Sequence, residues 1–569
     1  MKRFEIVILL IVILLAACTP VYTVVETAMV APSSPTSTAT NLPPTPMPKL
    51  TSLLWVDPGL PEDFRKQVET LSRVKPAETR AEAEMILDYT SDESIFDAEW
   101  VYVLAAPFPT VRDGVTEKEL EAILTGKARD ELADVKVLVS SETMAMLEGS
   151  GFEVSEEAVH IMPAEELLVA AWADDNTWAV LPFEDVEPRW KVLAVEGMTP
   201  FSVDFDITEY SLTAKIGLTG EAQAMERYAE MITLPPVNFD RSKMTTLLMT
   251  GVTALTRSTA ARMDEKGVLY PGEDIREWMV SADLTHVSNE VSFNPECPLA
   301  NFDKHEMHFC SRPEYIELLD DVGVDIMELS GNHLVDWGVP AFDYSLELYE
   351  ERDWIVFAGG ENINAARLSV EVVHNGNQLV FIGCNPAGPE MVWATEYRSG
   401  VADCDLDWMA NFVTKLSVNG YLPVVTFQYN ESYGMVPGFE QERDFRRMSE
   451  AGAVIVSGSQ AHHPQTMTFD QDILFSDVGF IHYGLGNLFF DQMRMPDDQN
   501  VPEVFDEELP VAGTRLEFLD LHIFYDNRYI NTQLLTAILE DYARPRPMTE
   551  EEREVFLTRM FEASEWELE

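Results

Sequence analysis

The second half of the chain carries a train of short apolar runs, each closing on glycine or polar residues, and this pattern narrows the fold most. Thr246 to Met249 runs up to Gly251, and Asp325 to Leu329 runs up to Gly331-Asn332-His333. Leu379 to Cys384, Leu422 to Phe427, Ala453 to Ser457 and Phe480 to Tyr483 repeat the pattern. Such runs read as buried strands. Pro313 to Val322 and Pro340 to Arg352 read as helices between them. Strands alternating with helices predict an α/β domain whose strand ends deliver polar side chains from distant segments to one site.

The first half, 50–236, reads as a smaller α/β domain. Trp100 to Ala106 is a strand bounded by Pro107 and Pro109, and Val135 to Val139 and Trp178 to Leu181 are further strands. Thr116 to Gly126 is a helix with an N-cap Thr, acids in its first turn, a face of Leu120, Ile123 and Leu124, and a glycine stop. The larger domain is expected over 243–569. In its tail, Arg544 and Arg546 stand between prolines, able to meet a carboxylate or phosphate bidentately or to neutralise nearby acids. Thr549 caps a last helix that packs through Val555, Leu557, Met560 and Phe561.

The amino terminus predicts export. Lys2 and Arg3 precede an apolar run from Ile6 to Leu15, which ends in Leu15-Ala16-Ala17-Cys18. That is the layout of a signal peptide over 1–18, its run shorter than the roughly 20 residues that span a bilayer. The last four residues resemble the lipobox of bacterial lipoproteins, which implies a diacylglyceryl lipid on Cys18. Residues 19–49, rich in Pro, Ser and Thr, should form an extended tether. The expected location is therefore the bacterial cell envelope, lipid-anchored to the membrane and facing outside the cytoplasm.

Charge excludes some partners. With 98 acidic against 39 basic residues the chain carries −59, so nucleic acid and anionic lipid surfaces are not expected to bind it. The acids serve as a solubilising coat or as an attraction for divalent and polycationic material. Outside the cytoplasm, Cys297, Cys310, Cys384 and Cys404 should pair oxidatively. Four cysteines allow three connectivities, and proximity favours Cys297–Cys310 and Cys384–Cys404. No Cys-x-x-Cys spacing points to a metal instead.

Four clusters at the strand ends carry the chemistry: Ser288-Asn289-Glu290, Gly331 to Gly338, Gly458 to Gln465, and Tyr483 to Gln492. Their oxygens and imidazoles suit divalent metals or phosphate oxygens. Their order resembles the CapA-type poly-γ-glutamate capsule-synthesis family, which runs Gly-Asp-x-Met, Asn-Leu-Glu, Asn-Asn-His-x-x-Asp-x-Gly, His-Trp-Gly-x-Glu-Tyr, Gly-x-His-Pro-His and Tyr-Ser-Leu-Gly-Asn-Phe-x-Phe-Asp-Gln. The resemblance implies a metallophosphoesterase-like αββα fold. It implies His333 as general acid, with Asp336 also in the catalytic set, and Glu290, Asn332 and His462 as metal ligands. Asn289, Gln428, Glu431, Gln460, His463 and Asn487 would contact substrate. Three departures matter: Val252 stands at the Asp of Gly-Asp-x-Met, and Gln428 and Gln460 each stand at a histidine. Two ions about 3.5–4 Å apart need a bridging carboxylate, so a dinuclear centre is not expected. One divalent cation (Mn²⁺, Mg²⁺, Ca²⁺ or Zn²⁺) and a metal-free pocket both stay open.

In the first half, Val115 to Lys127, Trp178 to Phe183 and Lys191 to Gly197 resemble phosphate-type periplasmic solute-binding proteins. Two functions follow from these resemblances. One is an envelope lipoprotein acting in synthesis, release or attachment of an extracellular anionic polymer, with hydrolysis or transfer at a phosphoester or acyl bond if it is catalytic. The other is a non-catalytic lipoprotein that binds a solute or polymer through a degenerate site.

Overall fold

Period-two alternation sorts the strands of the larger domain between two apolar cores. Leu247 and Met249 enter one core and Leu248, between them, enters another. Val424 and Val425 divide in the same way. Successive side chains of a strand point to opposite faces, so both faces of these strands are buried. The computed structural model describes residues 51–69, 73–89, 97–228, 237–300, 308–471, 478–492, 504–564 and 566. The expected signal peptide, Cys18 and the tether lie outside the described residues.

A seven-stranded sheet runs Ile355–Phe357, Ile326–Glu328, Leu284–Asn289, Met244–Thr253, Leu516–Tyr525, Arg528–Glu540, Arg544–Pro547. Its first four strands are parallel and the rest antiparallel. A six-stranded sheet runs Val370–His374, Asn377–Cys384, Leu422–Gln428, Ile455–Ser459, Val478–His482, Met467–Gln471. The inner faces meet through Leu247, Met249, Phe381, Val424, Phe480 and Phe518. Helices Arg257–Lys266, Ile316–Asp321 and Val339–Glu350 cover the outer face of the first sheet, and Leu406–Val418 and Phe439–Glu450 cover that of the second. Helix, sheet, sheet, helix is the expected αββα layering.

The first half builds a ten-stranded sheet around the long strand Asp97–Pro107, which pairs with Thr213–Gly220, Thr177–Pro182 and Trp190–Val195. The helix Glu117–Leu124 has the capping box on Thr116 and buries Leu120, Ile123 and Leu124. Residues Thr51–Glu569 form one compact unit, and Phe108 shows how the halves join. Its ring, from the first half, packs against Phe469, Phe480, Phe561 and Trp566 at centroid distances of 5.0, 5.5, 6.3 and 5.7 Å. Asn531 Nδ2 also donates to the Trp190 carbonyl at 2.6 Å.

Both expected disulfides are present, Cys297–Cys310 and Cys384–Cys404. The tail arginines neutralise acids: Arg544 pairs with Asp274 at 3.1 Å, and Arg546 with Glu540 at 2.8 Å and Glu552 at 2.7 Å. The last helix, Glu550–Ala563, buries Phe556 with Leu557, Met560 and Phe561, leaving Val555 at the margin of the expected face. Among the described residues no helix is long and apolar enough to cross a membrane.

Candidate functional site

Parallel strands end side by side, and here their carboxyl ends bring four of the expected residues together. Glu290 follows Leu284–Asn289 and is held by its N–H, which donates to the Thr253 carbonyl at 2.9 Å. Asn332 lies beyond Ile326–Glu328, on a loop that passes so near Glu290 that a Cβ on Gly331 would sit 2.5 Å from the Glu290 Cα. Gln428 closes Leu422–Gln428 and is fully buried. Its Nε2 lies 3.4 Å from Glu290 Oε1 and 3.4 Å from Asn332 Oδ1, while Ser459 Oγ donates to its Oε1 at 2.6 Å. Contacts of 3.4 Å exceed the usual N–H···O range, so the amide is only loosely engaged on the side that faces Glu290.

His462 completes the group. Its Nδ1–H donates to Asn487 Oδ1 at 2.8 Å, which leaves Nε2 facing Glu290 Oε1 at 4.0 Å. Asn487 is fixed in turn by donating to the Thr514 carbonyl at 3.0 Å. Gln460 and His462 have φ of +72° and +55°, the left-handed region that side chains other than glycine seldom adopt. Such conformations persist only where surrounding contacts over-determine them. Gln460 Oε1 is buried and has no hydrogen-bond partner among the described residues.

A second pair stands beside this cluster. His333 Nδ1–H donates to Asp336 Oδ2 at 2.8 Å, and the same oxygen accepts the Phe309 N–H at 2.8 Å. Burial pushes the His333 imidazole down, but the Asp336 hydrogen bond and the charges of Glu290, Asp336 and Glu431 outweigh it and raise it above its ordinary value. Glu431, which is exposed, accepts from Tyr433 Oη and from Gln492 Nε2.

Two expected contacts lie elsewhere. Asn289 donates its amide to the Val291 carbonyl at 2.9 Å and to Tyr349 Oη at 2.8 Å, away from Glu290. His463 Nδ1 bonds to the Pro464 carbonyl at 2.7 Å, and its ring lies against Phe505 and Gly513.

At the position of the expected bridging acid, Val252 is fully buried in an apolar cluster with Ala254, Val291, Phe309 and Phe490. Its backbone accepts from Leu488 N–H at 2.8 Å and donates to the Gly486 carbonyl at 3.0 Å. The strand runs so close there that a Cβ on Gly251 would meet the Gly486 carbonyl oxygen at 2.3 Å. Among the described residues no three His, Cys, Asp or Glu side chains gather closely enough to hold a metal ion. Two ions do not fit this donor set. Two donors on a single ion, each about 2.1 Å from it, are about 3.0–3.4 Å apart at octahedral or tetrahedral angles and at most about 4.2 Å when they oppose each other. Glu290 Oε1 and His462 Nε2 satisfy that limit at 4.0 Å. A hydrogen bond orienting the far ring nitrogen, as Asn487 provides, is what metal-binding histidines ordinarily have. Amide oxygens would complete the set, which favours a hard cation.

Ser459, Tyr433 and Gln492, which lie within the motifs read from the sequence, also belong to the site region, as does Arg257, whose own sequence context gives no such signal.

Residues 246–492 match the model of the family described as bacterial capsule synthesis protein PGA_cap. This segment belongs to that family. The capsule biosynthesis protein CapA of Bacillus anthracis is 25% identical over 268 residues, 45% of this chain and 62% of that protein. The PGA biosynthesis protein CapA of Bacillus subtilis (strain 168) is 24% identical over 188 residues, 33% of this chain and 48% of that protein. The chain thus spans less than two thirds of either relative. Among solved structures, NAD nucleotidase of Haemophilus influenzae is similar at 8% identity and a TM-score of 0.30, covering 57% of each chain. An ABC-type phosphate transport receptor from Vibrio cholerae is similar at 13% identity and a TM-score of 0.27, covering 32% of this chain and 91% of that one. Every described member of the Glu290 cluster falls inside the PGA_cap segment.

Proposed function

We propose that this chain acts at the cell envelope on an anionic extracellular polymer of the poly-γ-glutamate type, with Cys18 as its lipid anchor to the membrane. The polymer is bound at the Glu290, Asn332, Gln428 and His462 cluster, which takes no more than one divalent cation. The observation that carries this reading is the convergence on Gln428, whose Nε2 is 3.4 Å from both Glu290 and Asn332. The two relatives, named for capsule and PGA biosynthesis, support the choice of polymer.

When bound, the ion supplies a Lewis acid for a carboxylate or acyl oxygen. Glu290, Asn332 and His462 would hold it, and Gln460 would offer an amide oxygen, while the Gln428 amide turns its Nε2 to Glu290 and Asn332 and its Oε1 to Ser459. His333 donates a proton or a charged hydrogen bond to the group leaving or binding beside it, and Asp336 keeps its ring oriented. Binding without turnover is favoured by one observation, the apolar cluster around Val252 where a second ion's carboxylate would stand.

The test uses purified full-length chain. Metal analysis after Mn²⁺ titration should give at most one ion per chain, lost in Glu290→Gln and in His462→Ala. Fluorescently labelled poly-γ-glutamate should bind, and His333→Ala should weaken binding or cleavage about tenfold. Two ions per chain, or a His333→Ala protein unchanged in both respects, would overturn the proposal.

A further inference from the structure

We propose that the cavity between the two halves of the chain is a second binding site, for an amphiphile with one carboxylate head and an apolar body, the chemistry of a fatty acid. The cavity holds about 560 Å³, inside the roughly 300–1,000 Å³ of small-ligand pockets. Phe108, Phe201, Leu534, Leu557 and Phe561 make most of its wall apolar. Such a wall suits a hydrocarbon body, and what gives the cavity a direction is the charge at one part of it.

That charge comes from both halves. Lys191, on the strand Trp190–Val195, donates through Nζ to the Thr110 carbonyl at 2.6 Å, the Val111 carbonyl at 3.0 Å and Asp113 Oδ1 at 2.8 Å. Arg553, on the last helix, donates to the same Asp113 oxygen at 3.0 Å, to the Leu534 carbonyl at 3.1 Å and to the Val111 carbonyl at 3.3 Å. Lys191 and Arg553 both line the cavity and are largely buried, while Asp113 is 59% exposed. Two cations therefore share one half-solvated carboxylate. Among the described residues Asp113 is the one acid that acts on either; Glu550 borders the cavity but is exposed and acts on neither. Burial pushes the Lys191 amine down to about 8, with Asp113 opposing and Arg553 adding to the fall. One positive charge is thus left over in a low-dielectric wall, which matches a monoanion. The Nε–H of Arg553 has no acceptor among the described residues, and a guanidinium N–H that faces a cavity is a ready donor to a carboxylate.

The cavity is separate from the Glu290 cluster. It takes Thr246 from the amino-terminal part of the strand Met244–Thr253, whereas Val252 lies at the other end of that strand, about 20 Å away at roughly 3.3 Å per residue. Trp278 and Ser281 likewise precede the strand Leu284–Asn289, whose far end leads to Glu290. A ligand here touches both halves and stands independently of the polymer reading.

The experiment titrates full-length chain with a dansyl-labelled undecanoic acid, below its micelle concentration, and with the methyl ester of the same probe. Wild type should bind the acid about tenfold more tightly than the ester, the worth of one hydrogen bond to a charged group. Arg553→Gln should bring acid and ester to within about twofold of each other. Val203→Trp, a change at an exposed residue of the cavity lining that touches neither cation, should weaken both probes about tenfold by filling the space. Thermal melting checks each variant. Acid and ester bound equally by wild type, or bound by neither, would overturn the proposal. So would a Val203→Trp protein that binds the acid as wild type does, because the probe would then sit elsewhere. If Arg553→Gln fails to fold, the acid-to-ester ratio of wild type and the Val203→Trp result decide.

Discussion

Gln428→Glu would place a carboxylate where the Gln428 amide now lies, 3.4 Å from Glu290 Oε1 and 3.4 Å from Asn332 Oδ1. Two like charges at that distance repel by about 5 kcal/mol at an effective dielectric constant of 20. The protein has a cheaper route, because protonating one carboxylate of ordinary pKa near 4.3 costs about 3.7 kcal/mol at pH 7. The cheaper route wins, so the expected destabilisation is about 4 kcal/mol at pH 7 and about 2 kcal/mol at pH 5.5. The sign follows from linkage. The new acid's folded pKa is raised, so its penalty is absent below the unfolded pKa and grows as pH rises towards the folded one. At about 2 °C per kcal/mol for a chain of this size, melting at pH 7 should fall by about 5–10 °C in chelator. A divalent cation at about 100 times its dissociation constant should return about 2.7 kcal/mol, because the ion sits between two carboxylates. Thermal melts at both pH values, with chelator and with Mn²⁺, check this. A variant as stable as wild type in chelator at pH 7, or a loss independent of pH, would refute the neighbourhood of Glu290 and Gln428 on which the site is built.

Asn487→Ala removes the acceptor for His462 Nδ1 and the donor to Thr514, both buried, and should cost about 2–4 kcal/mol by denaturant unfolding. Phe108→Ala strips a buried ring from a five-ring cluster between the halves and should cost about 3–5 kcal/mol, and calorimetry should then show the two halves melting less cooperatively. Burial pushes His522 down to about 4, with Asp520 opposing and His482 and His286 adding to the fall. Its folded pKa is depressed, so its neutral form stabilises the chain above pH 6.5, and about 3 kcal/mol is lost as pH falls from there to about 4. His522→Gln should flatten that acid limb of the stability profile.

Legibility followed burial pattern. The strands Asn377–Cys384 and Leu422–Gln428 are apolar on both faces, so a run of Val, Ile, Leu and Phe marks them directly. The long hairpin Leu516–Tyr525 and Arg528–Glu540 is hidden by polar side chains inside it: Glu517, Asp520, His522, Asn531 and Thr532 are all buried. A periodicity reading treats such residues as solvent-facing, and only the inter-sheet layer shows that they are internal. Glu290, Asn332 and His462 were readable because fixed motifs place them at strand ends. Asn289 and His463 share those motifs, and their turn away from the cluster is a matter of which face each side chain takes. Arg257 was not readable at all, since an arginine opening a polar helix looks solvated. Its position depends on Phe309 and Phe490, which come from distant parts of the chain.

Arg257 and Val252 are two sides of one arrangement. The buried cluster of Val252, Ala254, Val291, Phe309 and Phe490 occupies the place where a bridging carboxylate would be expected. An acid at Val252 would lie among apolar groups, with no partner to offset the loss of its hydration unless ions sat against it. With valine there, the region packs as hydrocarbon and needs no second ion. The same packing fixes Phe309 and Phe490, and these rings carry the Arg257 guanidinium on their outer faces. Glu290 and His462 still face each other at 4.0 Å beyond this apolar cluster. Phe490 is the shared support of this region, touching both Arg257 and His462, and its truncation would loosen the two together.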